Sequence, residues 1–331
     1  MWEYGHGLSE LGHEVTIVGA KGSTCSGAKV VETVKPWNAL SPEEQKVYAK
    51  ADKVWNGWRA HEEEAFNQYK HLLGDFDIIG DHSWSKWSYS TNHEKIIGTC
   101  HSIKSYNSKP PRSSPLFTGV SNGHARFISR DLHIPCRVLW NPVNMDEMPF
   151  QKEKGERILS LNRIMPQKGI HHFLTLADQS KLKADVAGDD SQLVGDQMYV
   201  QWMKQRCAQS AYIMYHGLVT DAKRIELLKN AKCLLAFKDM GYEEVFVLSL
   251  VEALACGTPV ISTHSWGPDD IIQDGKNGFL CNTMDEVTKA IAKISEIKPE
   301  DCRESVKRFS RKERSMVYAK MMERVRDGSR W

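Results

Sequence analysis

The sequence predicts an α/β protein built as two successive parallel-sheet domains. Short apolar runs of strand length alternate with longer polar or amphipathic runs, and this rhythm pauses near residue 141 and restarts near residue 157. The chain has 331 residues, enough for two α/β domains of ordinary size.

Residues 1–145 read as the first domain. The opening stretch 1–11 (MWEYGHGLSEL) reads as a helix closed by Gly12, and 14–18 (EVTIV) reads as a strand. A doubly wound domain ordinarily opens with a strand and a Gly-rich turn before its first helix. Here the chain enters the pattern one element late. A second short strand covers 29–34, and 41–73 reads as a long polar helical region with Ser41 as N-cap, Pro42 at N1 and Glu44 at N3. Strands at 76–79, 95–99, 115–120 and 137–140 each run into a polar cluster: Asp81-His82-Ser83-Trp84, Cys100-His101-Ser102, Ser121-Asn122 and Asn141-Pro142-Val143-Asn144. Ligands of parallel α/β sheets bind beyond the carboxyl ends of the strands, so these clusters are candidate site elements.

Residues 141–151 read as a linker into a second domain, 146–300. Strands are expected at 157–161, 183–187, 211–215, 233–237 and 259–263, with helices after Gly169, around 192–208 and over 221–230. From Pro299 the chain reads as a basic, amphipathic helical segment. Its Phe309, Met316, Tyr318, Met321 and Met322 suit packing on another domain, and 301–331 is assigned to pack back on the first.

Composition narrows the function classes. The chain is 41% hydrophobic and 26% charged, with a net charge of +2, so nothing demands nucleic acid or another polyanion. Ten Trp include Trp55, Trp58, Trp84 and Trp87 in the first third. Eight Cys form no C-x-x-C pair, which fits buried thiols in a reducing, cytoplasmic setting better than disulfides or zinc. No run has the length of a transmembrane helix, and no signal peptide opens the chain. Peripheral membrane contact through the basic stretch 104–112 is the sharper reading of that segment, and a solvated loop the simpler one.

The chemistry centres on 241–257, GYEEVFVLSLVEALACG, which runs on into TPVIST. Glu244 and Glu252 stand eight residues apart, with Glu244 on a tight loop and Glu252 two turns into the helix that follows. The N–H groups at such a helix start attract phosphate. Carboxylates accept hydrogen bonds in two directions, which suits paired sugar hydroxyls. Arg163 and Lys168 lie on the loop after the first strand of the second domain, where two cations suit a diphosphate. His101 stands at a strand end, where an imidazole can bond a reacting sugar or act as a base, although a structural His is the commoner outcome. His171 and His172 read as helix surface rather than a metal site, because no acid or third His is spaced to complete one.

Together these residues resemble the retaining glycosyltransferases of family 4, whose architecture is GT-B. Glu244 to Glu252 resembles the E-x7-E signature, and Asn162-Arg163 through Lys168-Gly169 resembles the G-R-x-x-x-x-K-G loop. Val186-Ala187-Gly188-Asp189 resembles the V-x-G-D element, His216-Gly217-Leu218-Val219 the nucleobase-side F-x-G-x-V stretch, and Asp274 to Leu280 the D-G-x-N-G-x-L segment. The resemblance implies two Rossmann-like domains facing across a cleft, the first on the acceptor side and the second holding a UDP-, GDP- or ADP-sugar. Arg163 and Lys168 would bind the donor diphosphate, Glu252 the ribose, and Glu244 the transferred sugar. The backbone of Phe246, Val247 and Leu248 would meet the phosphate or sugar, Gly188 and Val219 would line the donor site, and His101 would face the reacting sugar. It implies no cofactor and no metal, an acceptor that is a glycan, lipid or small molecule, and closure of the cleft.

Three departures stand out. Val247 replaces a usual Gly, Ser102 follows His101 where the family has Gly, and the first strand with its Gly-rich loop is absent. The alternatives are a GT-B nucleotide-sugar epimerase and a weak or idle nucleotide-sugar-binding homologue.

Overall fold

The computed structural model describes residues 2–51, 57–103, 115–191 and 196–331. Trp55, the basic stretch 104–112 and the start of the helix expected at 192–208 lie outside them. The chain forms two compact units, Met1–Pro142 with Arg311–Trp331, and Val143–Ser310. Each is described by itself.

In the first unit, α1 (Trp2–Glu10) leads into β1 (Thr16–Gly19), which pairs in parallel with β2 (Lys29–Glu32). Next come α2 (Pro42–Ala51) and α3 (Trp58–Tyr69). The anticipated capping box starts α2: Ser41 Oγ accepts from Glu44 N–H at 3.2 Å, and Glu44 returns a carboxylate oxygen to Ser41 N–H at 2.7 Å. The polar helical region expected over 41–73 consists, among the described residues, of these two helices and a 3-10 turn at Lys70–Asp75. The residue before α3 is Gly57 at φ 90°, a left-handed conformation that interrupts a helix. A second sheet follows: β3 (Ile79–Asp81), β4 (Ile96–Cys100) and β5 (Leu116–Gly119), then α4 (Asn122–Leu132) and β6 (Cys136–Val138). These strands are parallel in the order β3-β4-β5-β6.

The second unit alternates strand and helix. It contains β7 (Ile158–Leu161), α5 (Ile170–Gln179), β8 (Ala184–Ala187), α6 (Gln197–Gln209), β9 (Ile213–Gly217), α7 (Asp221–Asn230) and β10 (Cys233–Ala236). Then come α8 (Leu248–Ala255), β11 (Val260–Thr263), α9 (Trp266–Ile271), β12 (Gly278–Cys281), α10 (Met284–Lys293) and α11 (Pro299–Ser305). All pairings are parallel, in the order β12-β11-β10-β7-β8-β9. Every residue of β7, β8 and β10 is buried, as a sheet covered on both faces requires. Successive strands step away from β7 on one side and from β10 on the other. The crevice of such a sheet therefore opens beyond the carboxyl ends of β7 and β10.

The C-terminal segment divides at Ser310. Phe309 is buried in the second unit, its ring 5.7 Å from that of Phe246. The last helix, α12 (Arg311–Arg326), belongs to the first unit and lies against α1. Tyr4 and Leu8 of α1 join Tyr318, Met321 and Val325 of α12 in a core with Ile97, Leu116 and Leu139. A second core packs Phe66, Leu73, Ile79, Ile96, Phe117 and Ile128 on the opposite side of the sheet. Between β1 and β3 the unit holds a cavity of about 670 Å³, lined from one side by Thr16, Ile17 and Val18 and from the other by Ile78, Ile79 and Gly80.

Candidate functional site

The loops leaving β7 and β10 meet where the strand order predicts a crevice. The β7 loop runs from Asn162 to Gly169 and delivers Arg163 and Lys168. It is held from below by β8: Asn162 N–H donates to Ala187 O at 3.1 Å, and Ile164 N–H donates to Asp189 O at 2.8 Å. Gly188 is needed here, because a Cβ at this position would stand 1.6 Å from Asn162 O. Gly188 N–H donates in turn to Gly217 O at 2.9 Å, which ties the β9 end carrying Val219 to the same frame.

The β10 loop brings Glu244 directly onto Lys168. The two side chains form an ion pair, each 10% exposed. The Lys168 ammonium also lies 5.5 Å from the Tyr242 ring centroid. Burial lowers the Lys168 pKa, Glu244 opposes that, and the nearby Arg163 adds to the lowering. Arg163 itself is exposed on the loop and makes no ion pair among the described residues. One cation is thus held in a pocket and the other projects into solvent beside it.

Glu244 is fixed from behind. Its N–H donates to Ser265 Oγ at 2.7 Å, and Gly267 N–H donates to its carbonyl at 2.8 Å. Gly267 is needed for that approach, since a Cβ there would meet Phe246 Cα at 2.6 Å. Ser265 Oγ also donates to Glu243 at 2.6 Å, and Glu243 pairs with Lys238 at 2.8 Å. Burial works against the Glu243 charge, but Lys238 and Ser265 outweigh it and hold its pKa low.

Phe246 and Val247 lead into α8, which no side chain caps. The first N–H groups of a helix lack intrahelical partners, so they are open to an anion. Leu248, the first residue of α8, is 44% exposed. Val247 adopts φ −114° and ψ 94°, ordinary extended backbone. The position does not need a positive φ, so Val in place of the family's usual Gly brings no backbone strain, and its side chain is buried.

Glu252 is the fifth residue of α8, a little over one turn in rather than two, because the helix starts only at Leu248. Its carboxylate pairs with Arg224 of α7 at 2.5 Å. Burial opposes the Arg224 charge, yet Glu252 and Asp221 together raise its pKa. Arg224 is a site residue that sequence reasoning missed. It sits 28 positions before Glu252, and nothing local marks it.

Asp239 was missed as well. The β10 loop carries it to His171 and His172 at the start of α5, with a ring nitrogen of each and a carboxylate oxygen all within 4.8 Å of one another. An acid therefore does stand beside His171 and His172, contrary to the expectation from spacing. The acid comes from a distant loop, which sequence spacing does not reveal.

His101 lies in the first unit, just past the end of β4. Its Nε2 is 2.9 Å from His82 Nδ1, and His82 Nε2 is 3.3 Å from the Tyr318 hydroxyl. Burial pushes the His101 pKa down to about 3, with nearby charge adding to it. Burial also holds His82 well below its ordinary value. At neutral pH both are neutral imidazoles, so His101 is a hydrogen-bonding group there rather than a cation. None of the eight Cys forms a disulfide. No helix among the described residues is long and apolar enough to cross a membrane.

These features meet their counterparts in known proteins. Residues 145–316 match the family model described as glycosyl transferases group 1. A probable sucrose-phosphate synthase from Thermosipho melanesiensis is 37% identical over 97 residues, which are 29% of this chain and 23% of the relative. The chain thus matches about a quarter of that relative's length. The solved sucrose-phosphate synthase of Thermosynechococcus elongatus aligns at TM-score 0.77 and 16% identity, covering 99% of this chain and 92% of its own. Anabaena HepE, solved in complex with UDP and glucose, aligns at TM-score 0.64 and 15% identity, covering 89% and 86%. The likeness to these structures establishes the GT-B fold here. The family match covers more than half of the sequence, and the chain belongs to the glycosyl transferases group 1 family.

Proposed function

We propose that this chain is a retaining glycosyltransferase that moves a sugar from a nucleotide-sugar donor to an acceptor, with no metal at the diphosphate. The observation that carries the reading is the arrangement at the β7–β10 crevice. A buried Lys168–Glu244 pair and an exposed Arg163 stand beside the uncapped start of α8. The similarity to HepE, solved in complex with UDP and glucose, supports a nucleotide-sugar donor.

In this reading Arg163, Lys168 and the first N–H groups of α8 neutralise the diphosphate as it leaves. Preorganised charge of this kind is worth most where charge develops. Glu252 accepts the ribose hydroxyls, with the Arg224 ion pair orienting its carboxylate. Glu244 accepts hydroxyls of the transferred sugar, with Lys168 beside it. Gly188 and Val219 line the donor site. The anomeric carbon to phosphate bond breaks, the acceptor oxygen bonds to the same face, and the departing phosphate oxygen takes the acceptor proton. In the first unit, His101 offers a neutral imidazole suited to hydrogen-bonding a sugar hydroxyl.

The test incubates the protein with UDP-, GDP- and ADP-sugars in chelator, with water as the acceptor, and follows the anomeric proton of the released sugar by NMR ahead of mutarotation. The expected product is free sugar that appears first in the donor's anomeric configuration. An inverted product, or turnover that chelator abolishes and Mg²⁺ or Mn²⁺ restores, refutes it.

A further inference from the structure

We propose that His171, His172 and Asp239 form a binding site for one divalent transition-metal ion of the zinc class, outside the donor crevice chemistry. The three side chains bring two imidazole nitrogens and one carboxylate oxygen within 4.8 Å of one another. That donor set suits first-row ions such as Zn²⁺ and Co²⁺. In a tetrahedral site with bonds of about 2.0–2.2 Å, ligand atoms stand roughly 3.3–3.6 Å apart. Side-chain rotations that close the cluster by about an ångström reach that geometry. All three residues are half-buried, so an ion can enter and keep water in a remaining position.

The surroundings hold the ligands in place. The Tyr199 hydroxyl lies 3.2 Å from His171 Nδ1 and from His171 N, fixing ring and backbone together. The two imidazole centroids are 4.1 Å apart. Asp239 N–H donates to Gln167 O at 3.0 Å, and Met240 N–H donates to the Asp239 carboxylate at 2.8 Å. Partners of this kind orient first ligands and hold their affinity.

The position gives the site a consequence. His171 and His172 follow Lys168 by three and four residues, and Asp239 precedes Glu244 by five. An ion here joins the loop that carries Lys168 to the loop that carries Glu244. It acts as a staple on the two segments rather than as a Lewis acid on substrate.

The experiment titrates the protein, without a polyhistidine tag, with Co²⁺ and Zn²⁺ by calorimetry and visible absorption. We expect one ion per chain, weak d–d bands without an intense thiolate charge-transfer band, and affinity at least about tenfold lower in Asp239→Asn and His172→Ala. Zn²⁺ should raise the melting temperature of the unsubstituted protein and not that of Asp239→Asn, whose metal-free melting should be unchanged. Binding that persists at full strength in Asp239→Asn overturns the site. So does a strong thiolate band, which assigns the ion to cysteine, or the absence of saturable binding.

Discussion

Replacing one member of the Lys168–Glu244 pair should cost far more than replacing both. Each side chain is 10% exposed, so neither charge is well hydrated when its partner is gone. Breaking a buried pair by removing one partner typically costs about 3–5 kcal/mol, because a lone charge is left behind. Lys168→Met and Glu244→Gln should each approach the lower end of that range, since the remaining group can shed its charge. Burial already lowers the Lys168 pKa, which makes that escape easy in Glu244→Gln. The double variant should recover much of the loss, giving a coupling of roughly 1–3 kcal/mol. Urea unfolding of the three variants, with the transition of the second unit followed separately, measures the cycle. UDP at saturation should restore more of the stability lost in Glu244→Gln than in Lys168→Met, because only the former keeps an amine that the diphosphate can recharge, while Arg163 and the α8 N–H groups remain in both. Additive single effects, with coupling below about 0.5 kcal/mol, would refute the pairing as an energetic unit.

Three further outcomes follow from the geometry. The first unit should lose stability on acidification below pH about 6.5. The pKa values of His101 and His124 are lowered from 6.5 to about 3 and about 4, both mainly by burial, and that of His82 is lowered too. Above pH 6.5 neither folded nor unfolded chain binds these protons and there is no cost. Below it the unfolded chain takes them up and the folded one does not, so each His removes up to about 1.4 kcal/mol per pH unit until its folded pKa is reached. Unfolding midpoints measured from pH 7.5 to 4.5 check this, and a flat profile contradicts it. Val247→Gly should destabilise by about 2–3 kcal/mol, from lost burial and added backbone freedom, and should not improve nucleotide binding. Denaturant midpoints and calorimetry measure both. The β1 and β3 strands each pair on one side only among the described residues, so the chain should self-associate at raised concentration. Sedimentation velocity showing a monomer at every concentration would count against that.

Much of the second unit was legible in the sequence. Apolar runs such as Ile158–Leu161 and Cys233–Ala236 are buried on both faces and bounded by loops, so strand length and composition sufficed. Glu244, Glu252, Arg163 and Lys168 stood out because charged residues adjoin apolar runs at strand and helix ends. What the sequence did not show were side-chain partners. Lys168 meets Glu244 across 76 residues, and Arg224 meets Glu252 from a neighbouring helix. Asp239 joins His171 and His172 only because β10 lies beside β7. The break before α3 did have a signal, Gly57, which was outweighed by the polar helical run around it. The harmlessness of Val247 follows from its extended dihedrals, which only coordinates reveal.

The most direct test of the account is nucleotide affinity by calorimetry. The unsubstituted chain, Arg163→Ala and Glu252→Ala are titrated with UDP, GDP and ADP. The account predicts that one nucleotide binds the unsubstituted chain, and that each variant loses about 1.5–3 kcal/mol, the worth of one charge-assisted hydrogen bond. Unchanged affinity for all three nucleotides in both variants would contradict it.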